Sequence, residues 1–271
     1  MARVFKMLIV IIGLLCLLGL VQGFLIEPGN VVVRHATVTG TSLAGVLKGE
    51  RVVVVSDLHL SGGDLSGNEL LAILADLSPD YLLLLGDYVR WGGDYQPALA
   101  FLSKLAVVHG AYGILGDYDH HDSRQSCLFC HEPGRGTATV RHPVHFLMNR
   151  AVFVHGENGV FRVVGLDGVP GAEVQIAEDD VPTLVLGHDP LLFDEFSGDE
   201  GVLMLAGDTH GGQVPLPSFV WRLLGYEKNA RYNSGWFKKG SNQLFITRGV
   251  GTSHVPFRLF CPPEVVVLHF E

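Results

Sequence analysis

Seven acidic and imidazole side chains fall at the same kind of place along this 271-residue chain, each just past an apolar run. Asp57 and His59 follow VVVVS, Asp87 follows LLLLG, Asp117 follows ILG, His188 follows LVLG, and Asp208 with His210 follow LMLAG. Any one of these alone reads most simply as a residue opening a turn or capping a helix. Together they read as ligands, because mixed carboxylate and imidazole donors suit Mn, Fe or Zn. Two such ions about 3.5–4 Å apart can hold a hydroxide between them while polarising a phosphoryl oxygen. That arrangement needs a carboxylate able to bridge, and Asp87, with ligands of the pattern on both sides, is the candidate.

For seven side chains from five segments to meet, the apolar runs must be neighbouring strands. In open α/β sheets the loops beyond the carboxyl ends of the strands converge on one crevice. The pattern supports this: VVVVSDLHL (52–60), YLLLLGD (81–87) and AYGILGD (111–117) alternate with the helical stripes GNELLAILADLSPD (67–80) and PALAFLSKLAVVHG (97–110). Continuous β-branched and leucine runs suit strands covered on both faces. Four further apolar runs, FRVVGLD, TLVLGHD, GVLMLAGD and QLFITRG, precede a closing EVVVLHF. The fold class is therefore α/β.

Composition narrows the partners. A hydrophobic content of 48% suffices for a large core. A net charge of −9, without basic runs beyond Lys238 and Lys239, argues against a nucleic-acid surface. Met7 to Ile26 is an uncharged apolar segment of 20 residues behind Arg3 and Lys6. At 1.5 Å per residue it can cross a hydrocarbon layer of about 30 Å, as an uncleaved anchor. The small residues near Val21, Gln22 and Gly23 equally allow a cleaved signal peptide. Either reading puts the remaining chain on the membrane or exported, outside the cytoplasm. The expected organisation is an anchor or signal over 1–26, a connecting segment over 27–50, and one domain over 51–271 with a Cys/His-containing loop at 120–145.

Taken in order, SDLHL (56–60), GDY (86–88), GDYD (116–119), GHDP (187–190) and GDTHGGQ (207–213) make the chain resemble the calcineurin-like metallophosphoesterases over about residues 50–271. The likeness is greatest to a bacterial membrane-associated branch that includes phosphodiesterases and UDP-2,3-diacylglucosamine pyrophosphatases. A Pro-rich turn after GDTHGGQ and the segment TRGVGTSHVPFRLFCPPE (247–264) carry it. The resemblance implies two mixed sheets packed face to face and flanked by helices. It implies two divalent ions, Mn, Fe or Mg favoured and Zn allowed, acting on a phosphomonoester or phosphodiester, with lipid-linked phosphate a natural substrate beside an anchor. The first ion would take Asp57, His59, Asp87 and His210, the second Asp87, Asp117, His188 and Asp208, with Asp87, Tyr118 and Asp119 as the candidate catalytic residues.

Two blocks depart from the family pattern, in which GDYD reads GNHD and GDTH reads GHTH. Asp117 stands for an Asn ligand, Asp208 for a His ligand, and Tyr118 for a His that faces substrate. Four carboxylates against two divalent ions bring a net charge of about +2 down near zero, weakening attraction for an anion. Trivalent iron, or a proton shared between carboxylates, would restore part of it. Tyr118, with an ordinary pKa near 10, is a poorer acid than the imidazole it replaces, and His120 or His121 could stand in.

Cys127, Cys130 and His131 spell CxxCH, the attachment signature of a c-type haem, with His142, His145 or Met148 as a distal ligand. A zinc site adding His142, or a local disulfide, fits the same residues. The haem reading carries the rival function, a redox or binding module on a phosphoesterase scaffold. Arg248 and His254 lie in the late segment, the arginine as a phosphate ligand or an ion-pair partner. Phe219, Trp221, Leu223 and Leu224 form an apolar stretch that rests on lipid or packs into the core.

Overall fold

The computed structural model describes residues 2–60, 67–90, 93–120, 127–131, 138–167, 176 and 179–271. Its first sheet joins β1 (Val32–Val38), β12 (Glu264–Phe270), β2 (Val52–Val55), β3 (Tyr81–Leu84), β4 (Gly110–Gly113) and β5 (Val144–Phe146), in that order across the sheet. A second sheet joins β10 (Gly235–Lys239), β11 (Asn242–Ile246), β9 (Leu203–Ala206), β8 (Thr183–Gly187), β7 (Gly159–Leu166) and β6 (Arg150–Gly156). Both sheets are mixed. β12–β2, β10–β11 and β6–β7 pair antiparallel, and the remaining neighbours pair parallel.

Side-chain alternation explains why the sheets stack. Val52 and Val54 of β2, with Leu83 of β3, meet Leu184, Leu186, Leu203, Leu205 and Phe245 of the other sheet in one buried cluster. Val53, Val55, Leu82 and Leu84 point the opposite way, against Leu70 and Leu74 of α3 (Gly67–Leu77) and Leu99 and Leu102 of α4 (Gln96–Leu102). A third cluster covers the outer face of the second sheet, where Val185, Met204 and Ile246 meet Phe193, Phe196 and Tyr232. Strands buried on both faces need apolar residues at every position, which is why they read as unbroken runs.

The elements differ from the sequence reading at their edges. The strands before the ligand motifs stop short of them: β2 ends at Val55, β3 at Leu84 and β4 at Gly113, so Ser56–His59 is already loop. The helix read over 97–110 ends at Leu102: the Ser103 hydroxyl turns back to the Ala100 carbonyl at 2.9 Å, and β-branched Val107 and Val108 lead into β4. Residues 27–50, read as a connector, contribute β1 to the first sheet and α2 (Leu43–Leu47) to the core between the sheets. The apolar N-terminal segment is the helix α1 (Ala2–Val21), long and apolar enough to cross a membrane and unburied by the rest of the chain.

Candidate metal centre

The loops after β2, β3, β8, β9 and β11 lie side by side and are stitched by backbone hydrogen bonds. Asp57 N–H donates to Gly86 O at 3.0 Å, His59 N–H to Asp87 O at 2.9 Å, Gly207 N–H to His188 O at 3.1 Å and Val250 N–H to Ser56 O at 3.0 Å. Asp57, His59, Asp87, Asp208 and His210 all hold left-handed backbone, with φ of 54°, 44°, 55°, 69° and 51°. For non-glycine residues that conformation costs about 1–2 kcal/mol each, and it gathers at sites where the surrounding fold dictates side-chain direction.

Five of the seven expected ligands converge. Ligand atoms of Asp57, His59 and His210 lie within 4.8 Å of one another, as do those of Asp57, Asp87 and His188. His59 Nε2 is 3.1 Å from His210 Nε2 and 3.5 Å from Asp87 Oδ2. His188 Nε2 lies 3.4 Å from Asp87 Oδ1, and His210 Nε2 3.6 Å from Asp57 Oδ1. All five residues are buried. The imidazoles are oriented from behind: His59 Nδ1–H donates to Val89 O at 3.2 Å and His188 Nδ1–H to Leu85 O at 2.6 Å, which turns each Nε2 inward. His188 Nε2 is buried without a hydrogen-bond partner. An orphaned imidazole nitrogen beside two buried carboxylates fits a cation, and the donor set suits a divalent one.

Electrostatics point the same way. Burial, reinforced by Asp87, pushes the Asp57 carboxyl up to about 7. Burial acts against Asp87 ionising, yet His188, His59 and the Tyr118 amide hold it at about 2. Burial also opposes charge on His188, and Asp87, Asp57 and Asp208 outweigh it, holding the imidazole well above its usual range. His210 goes the other way, pulled down by burial and then by His59 and Arg258. Crowded carboxylates that recruit an imidazolium are a site short of positive charge.

The two substituted positions behave differently from the five. The Asp208 amide donates to both Asp57 oxygens, at 3.1 and 3.2 Å, but its carboxylate is bonded by the Lys228 ammonium, which also lies 2.7 Å from Asp189 Oδ2. Lys228 stands on α6 (Glu227–Arg231), which follows α5 (Ser218–Leu223). Asp117 is exposed and lines a neighbouring cleft with Arg90, Tyr118, Ser253 and His254. Tyr118 donates its amide to Asp87 Oδ1 at 3.0 Å, sets its ring edge-on to His59, and places its hydroxyl 3.0 Å from His254 Nδ1. Burial, then Asp87 and Asp208, raise its pKa, so the phenol stays protonated. Asp119 accepts N–H bonds from Asp87, Tyr88, Val89 and Gly116 at 2.8–3.3 Å, so its oxygens position the Asp87 loop instead of facing substrate.

Other expectations are corrected. Cys127 and Cys130 form a disulfide with each other. That leaves no thiol for haem thioethers and no thiolate for zinc, so the haem and zinc readings of Cys127, Cys130 and His131 give way to the third. The His131 and His142 rings pack at a tilt with centroids 4.3 Å apart, and His142 Nε2 bonds Phe129 O at 2.7 Å. His120 pairs with Asp167 at 2.9 Å, while His121 lies outside the described residues. Arg248 pairs with Glu264, its Nε 3.7 Å from Oε2, the structural alternative. Trp221 is buried, but Phe219, Leu223 and Leu224 beside it are exposed.

Sequence reasoning assigned no role to Lys228, Asp189 or Arg258. The Arg258 side chain is fully buried, its Nη2 lies 3.3 Å from His210 Nδ1, and it donates to the Arg248 and Gly251 carbonyls. An acceptor-rich loop with a buried arginine is not a spacing motif, so no local signal announced it. A cleft of about 620 Å³ opens over the centre, lined by Asp87, Tyr118, Asp208, His210, Lys228 and His254 among others.

Comparison with known proteins agrees with this geometry. Residues 50–215 match the calcineurin-like phosphoesterase family. The chain is 28% identical to the phosphodiesterase YaeI of Escherichia coli (strain K12), over 80% of this chain and 81% of that one. It is 25% identical to the uncharacterized metallophosphoesterase YkuE of Bacillus subtilis (strain 168), over 89% and 86%. The family match spans more than half of the chain and takes in all seven residues gathered or substituted here together with the blocks that carry them. The chain belongs to the calcineurin-like phosphoesterase family.

Proposed function

We propose that this protein is a membrane-tethered, extracytoplasmic, metal-dependent hydrolase of phosphate esters, mono- or diester, whose substrate carries a lipid. The observation that carries the hydrolytic part is the convergence of Asp57, His59, Asp87, His188 and His210 on one buried point. Two carboxylates and three imidazoles suit Mn, Fe or Zn. A divalent ion bound there supplies Lewis acidity toward a phosphoryl oxygen and makes water a nucleophile at neutral pH.

The chain's own residues supply the rest. Asp87 lies within 3.5 Å of imidazoles on either side, so it is the shared carboxylate. Tyr118 Oη and His254 Nδ1 form a hydrogen-bonded pair on the cleft wall. They take over proton donation to the leaving oxygen, the task of the imidazole that Tyr118 replaces. His120, tied to Asp167, is not needed for it.

The membrane part rests on three supports. The N-terminal helix is long and apolar enough to span a bilayer. The Cys127–Cys130 disulfide suits an oxidising compartment. Finally, Phe219, Leu223, Leu224, Tyr226 and Val255 stand exposed on segments that also line the cleft. Exposed apolar patches of this kind mark membrane or partner contacts.

The test is turnover of bis(p-nitrophenyl) phosphate by the full-length protein in detergent with Mn supplied, beside Asp87→Asn. Hydrolysis by the wild type, with metal retention and rate both lost in Asp87→Asn by a factor of about 10³ or more, is the expected result. No turnover with Mn, Fe, Mg or Zn, or an unimpaired variant, refutes the assignment.

A further inference from the structure

We infer that the site holds one metal ion, and that the Lys228 ammonium stands in place of the second as a fixed charge. The inference rests on the metal-dependent reading above and starts from the residues that depart from the family pattern. A second ion beside Asp87 and His188 would call on Asp208 and Asp117. The Asp208 carboxylate is instead bonded by Lys228, which is clasped on its other side by Asp189 at 2.7 Å. Asp117 is exposed, lines the neighbouring cleft with Arg90, and belongs to neither group of converging ligand atoms.

The substitution is coherent as chemistry. Replacing an imidazole by a carboxylate at position 208 adds one negative charge, and the ammonium returns one positive charge at the same carboxylate. Lys228 holds Asp208 Oδ2, so a second cation brought to the same carboxylate would meet the charge of the ammonium already there. Asp189 strengthens the clasp from a second direction, while its other oxygen caps the following turn through Leu191 N–H at 2.8 Å. Lys228 keeps 28% of its side chain exposed and lines the cleft with Asp87, Tyr118 and His254. It therefore faces the space where a phosphoryl oxygen would sit. Fixed cationic side chains serve transferring phosphoryl groups in the same way as metal ions. Asp57, His59 and His210 gather for a single ion with Asp87 3.5 Å from His59, and the other converging group, Asp57, Asp87 and His188, draws on the same two carboxylates and adds only His188.

The experiment counts metal in the full-length protein in detergent, stripped with chelator, re-equilibrated with Mn and freed of excess by gel filtration. We expect one Mn per chain, with the hyperfine-split electron paramagnetic resonance signal of isolated Mn(II), and phosphodiester turnover that saturates at one equivalent. Lys228→Met should take up a second Mn and show exchange coupling, whereas Lys228→Arg, which keeps the charge, should stay at one. Two coupled ions in the wild type overturn the inference, as does a Lys228→Met variant with native circular dichroism that still binds one. The wild-type count decides even if Lys228→Met does not fold. If the wild type binds one Mn yet hydrolyses no ester, the metal count stands and only the hydrolase reading falls.

Discussion

Tyr118 and His254 come from loops 136 positions apart and meet at 3.0 Å over the cleft. On the proposed reading they share one proton path, so Tyr118→Phe and His254→Ala should each lower kcat about 100-fold. The double variant should be little worse than either single one, as for groups that act as a unit. Metal content should be unchanged, since neither belongs to the converging ligand groups. Steady-state kinetics with Mn saturating checks this, and a single variant within about twofold of wild type rules the pair out as the acid. At this scale the sequence was half legible. Asp57, His59, Asp87, His188 and His210 each follow an apolar run directly, so a local pattern betrays them. Lys228 and Arg258 reach the centre from a short helix and a proline-rich loop with no fixed spacing to the ligands. The surplus carboxylate at 208 demanded a cation, but only folding could say which.

Strands buried on both faces were legible because their positions are apolar almost throughout, as in β2, β3, β8 and β9. β1 and β10 escaped notice: VVRHATV and GWFKK mix polar and apolar residues at sheet edges, where one side of the ladder is open. The loops hold the larger lesson, since they set ligand direction through backbone that few residues tolerate. Gly249, between β11 and β12, has φ +67°, and a Cβ there would lie 2.7 Å from Asp57 Oδ2. Gly249→Ala should therefore destabilise the fold by about 1–2 kcal/mol while displacing Asp57 and lowering Mn affinity disproportionately. Thermal unfolding and Mn titration of the same preparation separate the two effects. Unchanged Mn affinity would show that Asp57 tolerates the crowding.

Across the whole molecule, the cleft, the exposed apolar residues of α5 and the root of α1 belong to connected segments. Phe219 is 70% and Leu223 84% exposed, an unfavourable surface for water alone. The double variant Phe219→Asp, Leu223→Asp should leave hydrolysis of a soluble chromogenic diester intact and reduce that of a phosphate ester embedded in vesicles about tenfold. Equal loss on both substrates would mean that the patch supports the fold and does not engage lipid. The segment that follows α1 is itself seated on the rest of the chain: the Gly23 carbonyl accepts the Arg258 amide at 2.9 Å, Phe24 packs at a tilt on Phe257 with centroids 4.7 Å apart, and buried Glu27 accepts the Cys261 amide. Arg258 in turn steadies His210. A peptidase cutting after Glu27 would therefore take all three contacts away with the helix, whereas one cutting after Gly23 would leave Phe24 and Glu27 seated. The deeper cut would pull a keystone from behind His210, so that loss of the helix and loss of competence would come as one event.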